Sequence, residues 1–145
     1  MMSEKNTNIN TAQKSQSTSG QVKEKLLQHL KQYSFYIVND YVRESIEIDC
    51  FDKADRPFAE TIANIITEVL ILPDDAPIRI SGYNLSAKTV ALIFLDITHE
   101  HIVGVMQRFR EANYEIKHIK TYLRTALYNS FFEFEARVDN LVNSC

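Results

Sequence analysis

Apolar residues along this chain change their spacing from block to block, and each change marks a structural boundary. Residues 1–20, MMSEKNTNINTAQKSQSTSG, hold little besides Ser, Thr, Asn, Gln, Lys and Glu. Such a stretch buries too little apolar surface to offset the entropy of ordering it, so it reads as a flexible tail or linker. From Gln21 the pattern is helical. Val22, Leu26, Leu30, Tyr33, Ile37 and Tyr41 recur at spacings of three and four, which predicts a single apolar stripe on one helix, or on two with a break near Ser34. The run Ser34 to Val38 is aromatic and β-branched and also fits a strand; helix is favoured. IEIDCF, residues 46–51, alternates over too few positions to choose between a short strand and the lip of a helix.

The next helix has legible ends. Asp55 is placed to cap it, and Pro57 suits the first turn, where its missing N–H costs nothing. Phe58, Ile62, Ile65, Ile66, Val69 and Leu70 follow at amphipathic spacing, and Pro73 bounds the element. In PIRISGYNLS the period drops to two at Ile78 and Ile80, with Gly82 and Asn84 as turn residues, which predicts a small β-hairpin.

Helical spacing then returns. Ser86 opens a helix carrying Val90 and Phe94. Thr98 opens another with Ile102, Val105, Met106 and Phe109, ending near Asn113. The stretch IKHIKTYLRTALYNS predicts a third, burying Ile116, Ile119, Leu123, Ala126 and Leu127. Ser130 and Glu133 form an S-x-x-E capping box for a last helix with Phe134, Val138, Leu141 and Val142 inward. The expected fold is therefore mainly α: a compact bundle of five to seven short helices with one small β-hairpin, over residues 21–145.

At 145 residues, 45% of them hydrophobic, the chain is long enough for one domain with a real core. A formal charge of -3 and a pI near 5.8 exclude a surface that grips nucleic acid by general phosphate neutralisation, so any DNA contact is local. Cys50 and Cys145 lie far apart without metal-ligand spacing and read as free cytosolic thiols. No apolar run reaches the roughly 18 residues of a membrane span, and the expected location is the cytoplasm.

Catalytic and cofactor motifs are missing from the sequence. There is no G-x-x-x-x-G-K-[ST] and no G-x-G-x-x-G. His99 and His101 flank Glu100 at a helix start; side chains two apart diverge by about 200°, so they do not chelate one metal, and His101 is expected to support the cap or pack against the neighbouring turn. His118 has no accompanying nucleophile motif. The expectation is a non-enzyme without cofactor or metal.

The remaining candidate chemistry is a stripe. Lys117, Lys120 and Arg124 stand at i, i+3 and i+7, with Tyr128 one turn further, beside the apolar face. Three cations and an aromatic ring suit a phosphate backbone with a stacked base, or an acidic protein partner, or a solvated flank whose stems cover apolar surface. Lys88, Arg108 and Arg110 are candidates to extend it. Gly104, with Met106 and Phe109 nearby, suits either internal packing or close helix approach in a homo-oligomer.

Ile78-Arg79-Ile80 with Gly82, Phe94-Leu95, His101-Ile102 with Val105, and Ile119-Lys120 with Tyr122-Leu123 and Ala126-Leu127-Tyr128-Asn129 occur in order. Over residues 76–143 this resembles the C-terminal domain of RepA-type replication initiators from plasmids of Gram-positive bacteria. The resemblance implies a DnaD-like helical module that recruits host primosome proteins, such as the DnaG primase or a helicase, with weak DNA contact as an addition. Gly104 stands beside the place of the family's tyrosine, and Val90-Ala91-Leu92-Ile93 replaces its basic segment. No winged helix is read in these residues, so origin recognition is not assigned to them. The alternative is a self-associating structural or regulatory module acting with a separate winged-helix initiator.

Overall fold

The computed structural model describes residues 19–112 and 118–143, with side chains described for 20–112 and 118–137. Residues 1–18 of the expected tail lie outside these residues, while Ser19 and Gly20, also read as tail, open the first helix. The Thr98 helix ends at Glu111, just before the expected Asn113, which lies outside the described residues with Ile116, Lys117, Cys145 and the side chains of Val138, Leu141 and Val142. Among the described residues there are six α-helices and one two-stranded antiparallel hairpin, a mainly α bundle. In order they are α1 (Ser19–Leu30), α2 (Phe35–Ser45), α3 (Arg56–Ile71), β1 (Pro77–Ile80), β2 (Tyr83–Ser86), α4 (Ala87–Phe94), α5 (His99–Glu111) and α6 (Ile119–Asn143).

The core is one cluster that α3 runs through. Ile62, Ile66 and Leu70 of α3 are fully buried together with Leu27, Val38, Val90, Ile102, Leu123 and Leu127 from α1, α2, α4, α5 and α6. Each helix presents one apolar stripe to this cluster, so removing water from these stripes is the main driving force for assembly. A polar contact fixes α2 on α3: the Asn39 amide donates to Asn64 Oδ1 at 3.1 Å and Thr67 Oγ1 at 3.0 Å. Buried Thr67 in turn donates to the Ala63 carbonyl at 2.7 Å, so its hydroxyl is satisfied twice.

The first predicted stripe breaks into two helices. α1 ends at Leu30 and α2 begins after Ser34, so the run Ser34 to Val38 is helical from Phe35 and not a strand. The break rotates the second helix: Val38 and Val42 turn inward, and Ile37, expected on the apolar face, is 52% exposed. IEIDCF is not a strand: Ile46 caps the end of α2, its N–H donating to the Val42 carbonyl at 2.9 Å. A 3-10 turn at Ile48–Cys50 follows, entered through Glu47 in the left-handed region at φ 55°, and the stretch buries Ile46, Ile48 and Phe51.

The hairpin register pairs Ile78 with Leu85 and Ile80 with Tyr83. Ile78 and Ile80 are buried while Arg79 faces out, as period-two alternation requires. Its turn is Ser81-Gly82, both with positive φ (52° and 84°), which is the geometry that matches strand twist in a two-residue loop. Asn84, read as a turn residue, sits in β2 opposite Arg79.

Two caps behave differently from one another. Ser86 Oγ accepts the Thr89 N–H at 3.2 Å and starts α4 as expected. Asp55 precedes α3 but its side chain makes no cap bond there; it pairs with Arg110 instead.

The largest correction concerns Ser130. No helix begins there, because α6 is continuous over 25 residues. Ser130 is buried mid-helix and its hydroxyl donates to the Leu127 carbonyl at 2.7 Å, the local bond that lets serine sit inside a helix. Glu133, expected to complete the capping box, accepts from Arg108 of α5 at 2.6 Å.

Candidate functional site

Of the predicted stripe, Lys120, Arg124 and Tyr128 stand on successive turns of α6, in three different environments. Lys117 lies outside the described residues. Lys120, in the first turn of α6, is exposed and donates to Glu68 Oε2 of α3 at 3.0 Å. Arg124 is half-buried, and its Nε is shielded from solvent without a hydrogen-bond partner. Tyr128 is half-buried with its ring 5.1 Å from that of Phe132.

The candidate extensions each have a carboxylate partner. Arg108 is paired with Glu133, Arg110 with Asp55 and Lys88 with Glu24, which spreads these cations over α6, the start of α3 and α1. Lys23 with Asp96, Lys31 with Asp74 and Arg43 with Glu60 repeat the arrangement. Each such exposed pair contributes at most about 1 kcal/mol to stability. At these paired cations a phosphate would have to compete with a carboxylate; Arg124 has no such pair among the described residues. The sequence displays the cations but not the carboxylates that the fold brings to them.

One apolar surface does form where the stripe begins. Phe35 of α2, Thr61, Asn64, Ile65 and Glu68 of α3, and Ile119 and Lys120 of α6 line an open groove of about 370 Å³. Its lining mixes the apolar side chains of Phe35, Ile65 and Ile119 with a hydroxyl, an amide and the Glu68–Lys120 pair. Ile119, read as a core residue, is 46% exposed because it opens α6 beside this groove. Tyr36 and Ile37, next to Phe35 in the first turn of α2, are 79% and 52% exposed. Sequence periodicity missed the groove because it assigns every apolar residue on the helical stripe to the core. A second cavity, between α2, α3 and α4, has about 10 Å³, no more than a water requires.

The histidines are structural in their contacts. His101 Nδ1 accepts the Thr98 N–H at 3.0 Å and lies 2.8 Å from Thr98 Oγ1, completing the cap of α5 in the role expected of it. Its ring is buried against Phe131 and Phe134, at centroid distances of 6.0 and 4.7 Å. Burial pulls its pKa below the ordinary value, against the opposing pull of Glu135, Asp96 and Glu100. His99 lies over Phe51 at 4.1 Å. Among the described residues no three His, Cys, Asp or Glu side chains are placed to hold a metal ion, and no single helix is long and apolar enough to cross a membrane. Cys50 is exposed and free.

Gly104 has open space around it. A Cβ built there would meet only Arg108 Nη2, at 4.0 Å, so the residue is not needed for close internal packing.

Residues 9–144 match the model of a protein family described as a family of unknown function, DUF6017. No curated protein and no solved structure matches the chain.

Proposed function

The chain belongs to the DUF6017 family, and we propose that it is a non-catalytic docking module of a plasmid replication initiator, which recruits a host primosome protein in the cytoplasm. DnaG primase is the first candidate partner and the replicative helicase the second. The reading takes its biological setting from the resemblance to RepA-type C-terminal domains, and its surface from the groove between α2, α3 and α6.

The observation that carries it is the contrast between cations that are already paired and apolar side chains that line an open groove. Lys88, Arg108, Arg110 and Lys120 are each held by a carboxylate, whereas Phe35, Ile65 and Ile119 line an open groove. A protein segment that inserts an apolar side chain between those three residues gains hydrophobic free energy without breaking ion pairs. Thr61, Asn64 and the Glu68–Lys120 pair in the groove lining then fix its orientation through hydrogen bonds. DNA binding through Lys120 would first cost its pair with Glu68. A DNA contact by Arg124 and Tyr128 is at most an accessory to the protein contact.

Calorimetric titration of the full chain with purified host primase, and separately with helicase, tests this. Ile119→Asp places a charge in the groove at a position already partly open to solvent. It is expected to weaken binding about 30-fold or more, as the loss of a central anchor does. Unchanged affinity in this variant, or no binding of the parent chain to either protein, would contradict the reading.

A further inference from the structure

The side of α6 turned away from the core carries an aromatic patch that the groove does not use. With about 100° per residue, Phe132 lies near the middle of a face shared with Thr121, Thr125, Tyr128 and Ala136, roughly opposite Leu123, Leu127 and Ser130. Those three are buried, while Phe132 is 47% exposed. Its ring is fixed by Tyr128 at 5.1 Å and by Phe131 at 5.2 Å, so it is presented to solvent in an ordered position. From Phe132 to Arg137 every residue but Phe134 is exposed.

Charge on this face is divided along the helix. Arg124 and Glu135 lie on the same edge of it, about 20° apart around the axis and about three turns apart along it. Neither has an ion-pair partner among the described residues. In a second copy laid parallel about a two-fold axis, this edge meets the opposite edge of its partner, so neither charge gains the other. Laid antiparallel, the same edge brings Arg124 of each copy beside Glu135 of the other, since flanking charges in an antiparallel helix pair meet their own edge.

We propose that α6 pairs antiparallel with α6 of a second copy of this chain, about a two-fold axis beside Ser130. In this register Tyr128 of each copy stacks on Phe132 of the other, and two reciprocal Arg124–Glu135 pairs flank the aromatic centre. The contact is isologous and closes at two copies, so it leads to a dimer and not to a filament. It leaves the groove at Ile119 and Lys120 on another side of the helix and does not depend on what that groove binds.

Sedimentation velocity of the full chain over a micromolar to millimolar series tests the pairing. The expected result is a reversible monomer–dimer equilibrium whose dissociation constant rises about 30-fold or more in Phe132→Ala and in Glu135→Arg, both at exposed positions. Spin labels on Ala136→Cys, with Cys50 and Cys145 replaced by serine, read the direction independently: the backbone separation is about 20 Å in the antiparallel pair and about 10 Å in a parallel one. A chain that stays monomeric throughout overturns the proposal. So does a dimer unaffected by either substitution, or a distance near the parallel value.

Discussion

The Nδ1 atom of His101 accepts the backbone N–H of Thr98 at 3.0 Å, which makes a histidine the third-position partner in a helix cap. Glutamate or glutamine holds this place in the usual capping box. Because Nδ1 accepts, the ring proton sits on Nε2, which is buried beside Phe131 and Phe134 without a polar partner. The cap therefore requires neutral imidazole.

A pH dependence follows. The folded-state pKa of His101 is lowered by burial, so the unfolded chain binds its proton more tightly than the folded one. The stability this contributes is fully present above the unfolded value near 6.5 and is lost as pH falls from there through the folded pKa. His101→Gln keeps an acceptor at the third cap position but cannot titrate. Thermal melts between pH 8 and 5 are expected to show a decline in the parent chain that is reduced in the variant. Equal slopes in the two would remove His101 as the cause.

Continuity of α6 at Ser130 makes a sharper mutational prediction. In a helix interior, proline removes a backbone hydrogen bond and clashes with the preceding turn, costing about 3 kcal/mol or more. Ser130→Pro should therefore destabilise the fold by at least that amount in urea denaturation. Ser130→Ala should stay within about 1 kcal/mol of the parent, since alanine favours the helix and the hydroxyl bond to Leu127 is local. If Ser130 were instead a cap, the alanine variant would lose the capping contribution and proline nearby would be tolerated.

Gly104 offers a gain. It lies inside α5 with room for a methyl group, so Gly104→Ala should raise stability by about 0.5–1 kcal/mol by restricting the unfolded chain. A higher melting temperature is the expected outcome; a lower one would mean that the position is closely packed.

How far the sequence carries can be seen in these same elements. The helix α3 was legible from end to end, because six apolar residues at helical spacing sit between Asp55 and Pro73. The hairpin was legible because its period changed to two. Ser130-x-x-Glu133 misled because a capping signature is a short-range pattern, while the buried face of Leu123 and Leu127 runs on through Ser130 in one continuous helix. Ile37 and Ile119 misled for a related reason: periodicity says which residues share a face, but not whether another element covers that face. The cationic stripe was a true local pattern. What it lacked was Glu68, fifty-two residues away on α3.

That neutralisation predicts weak nucleic-acid binding. At physiological salt the full chain should bind single- or double-stranded DNA no more tightly than the non-specific range of about 10⁻⁴ to 10⁻⁶ M. Replacing Lys120 and Arg124 by alanine should change this little while leaving the helical circular-dichroism signal intact. Nanomolar binding that falls steeply with salt would show the cations to be free for phosphate.

The most direct measurement is backbone amide NMR of the full chain titrated with unlabelled host primase. The docking reading predicts that the largest shift changes fall on Phe35, Thr61, Asn64, Ile65, Glu68, Ile119 and Lys120, around the groove. No changes with primase or helicase, or changes confined to elements away from the groove, would contradict it.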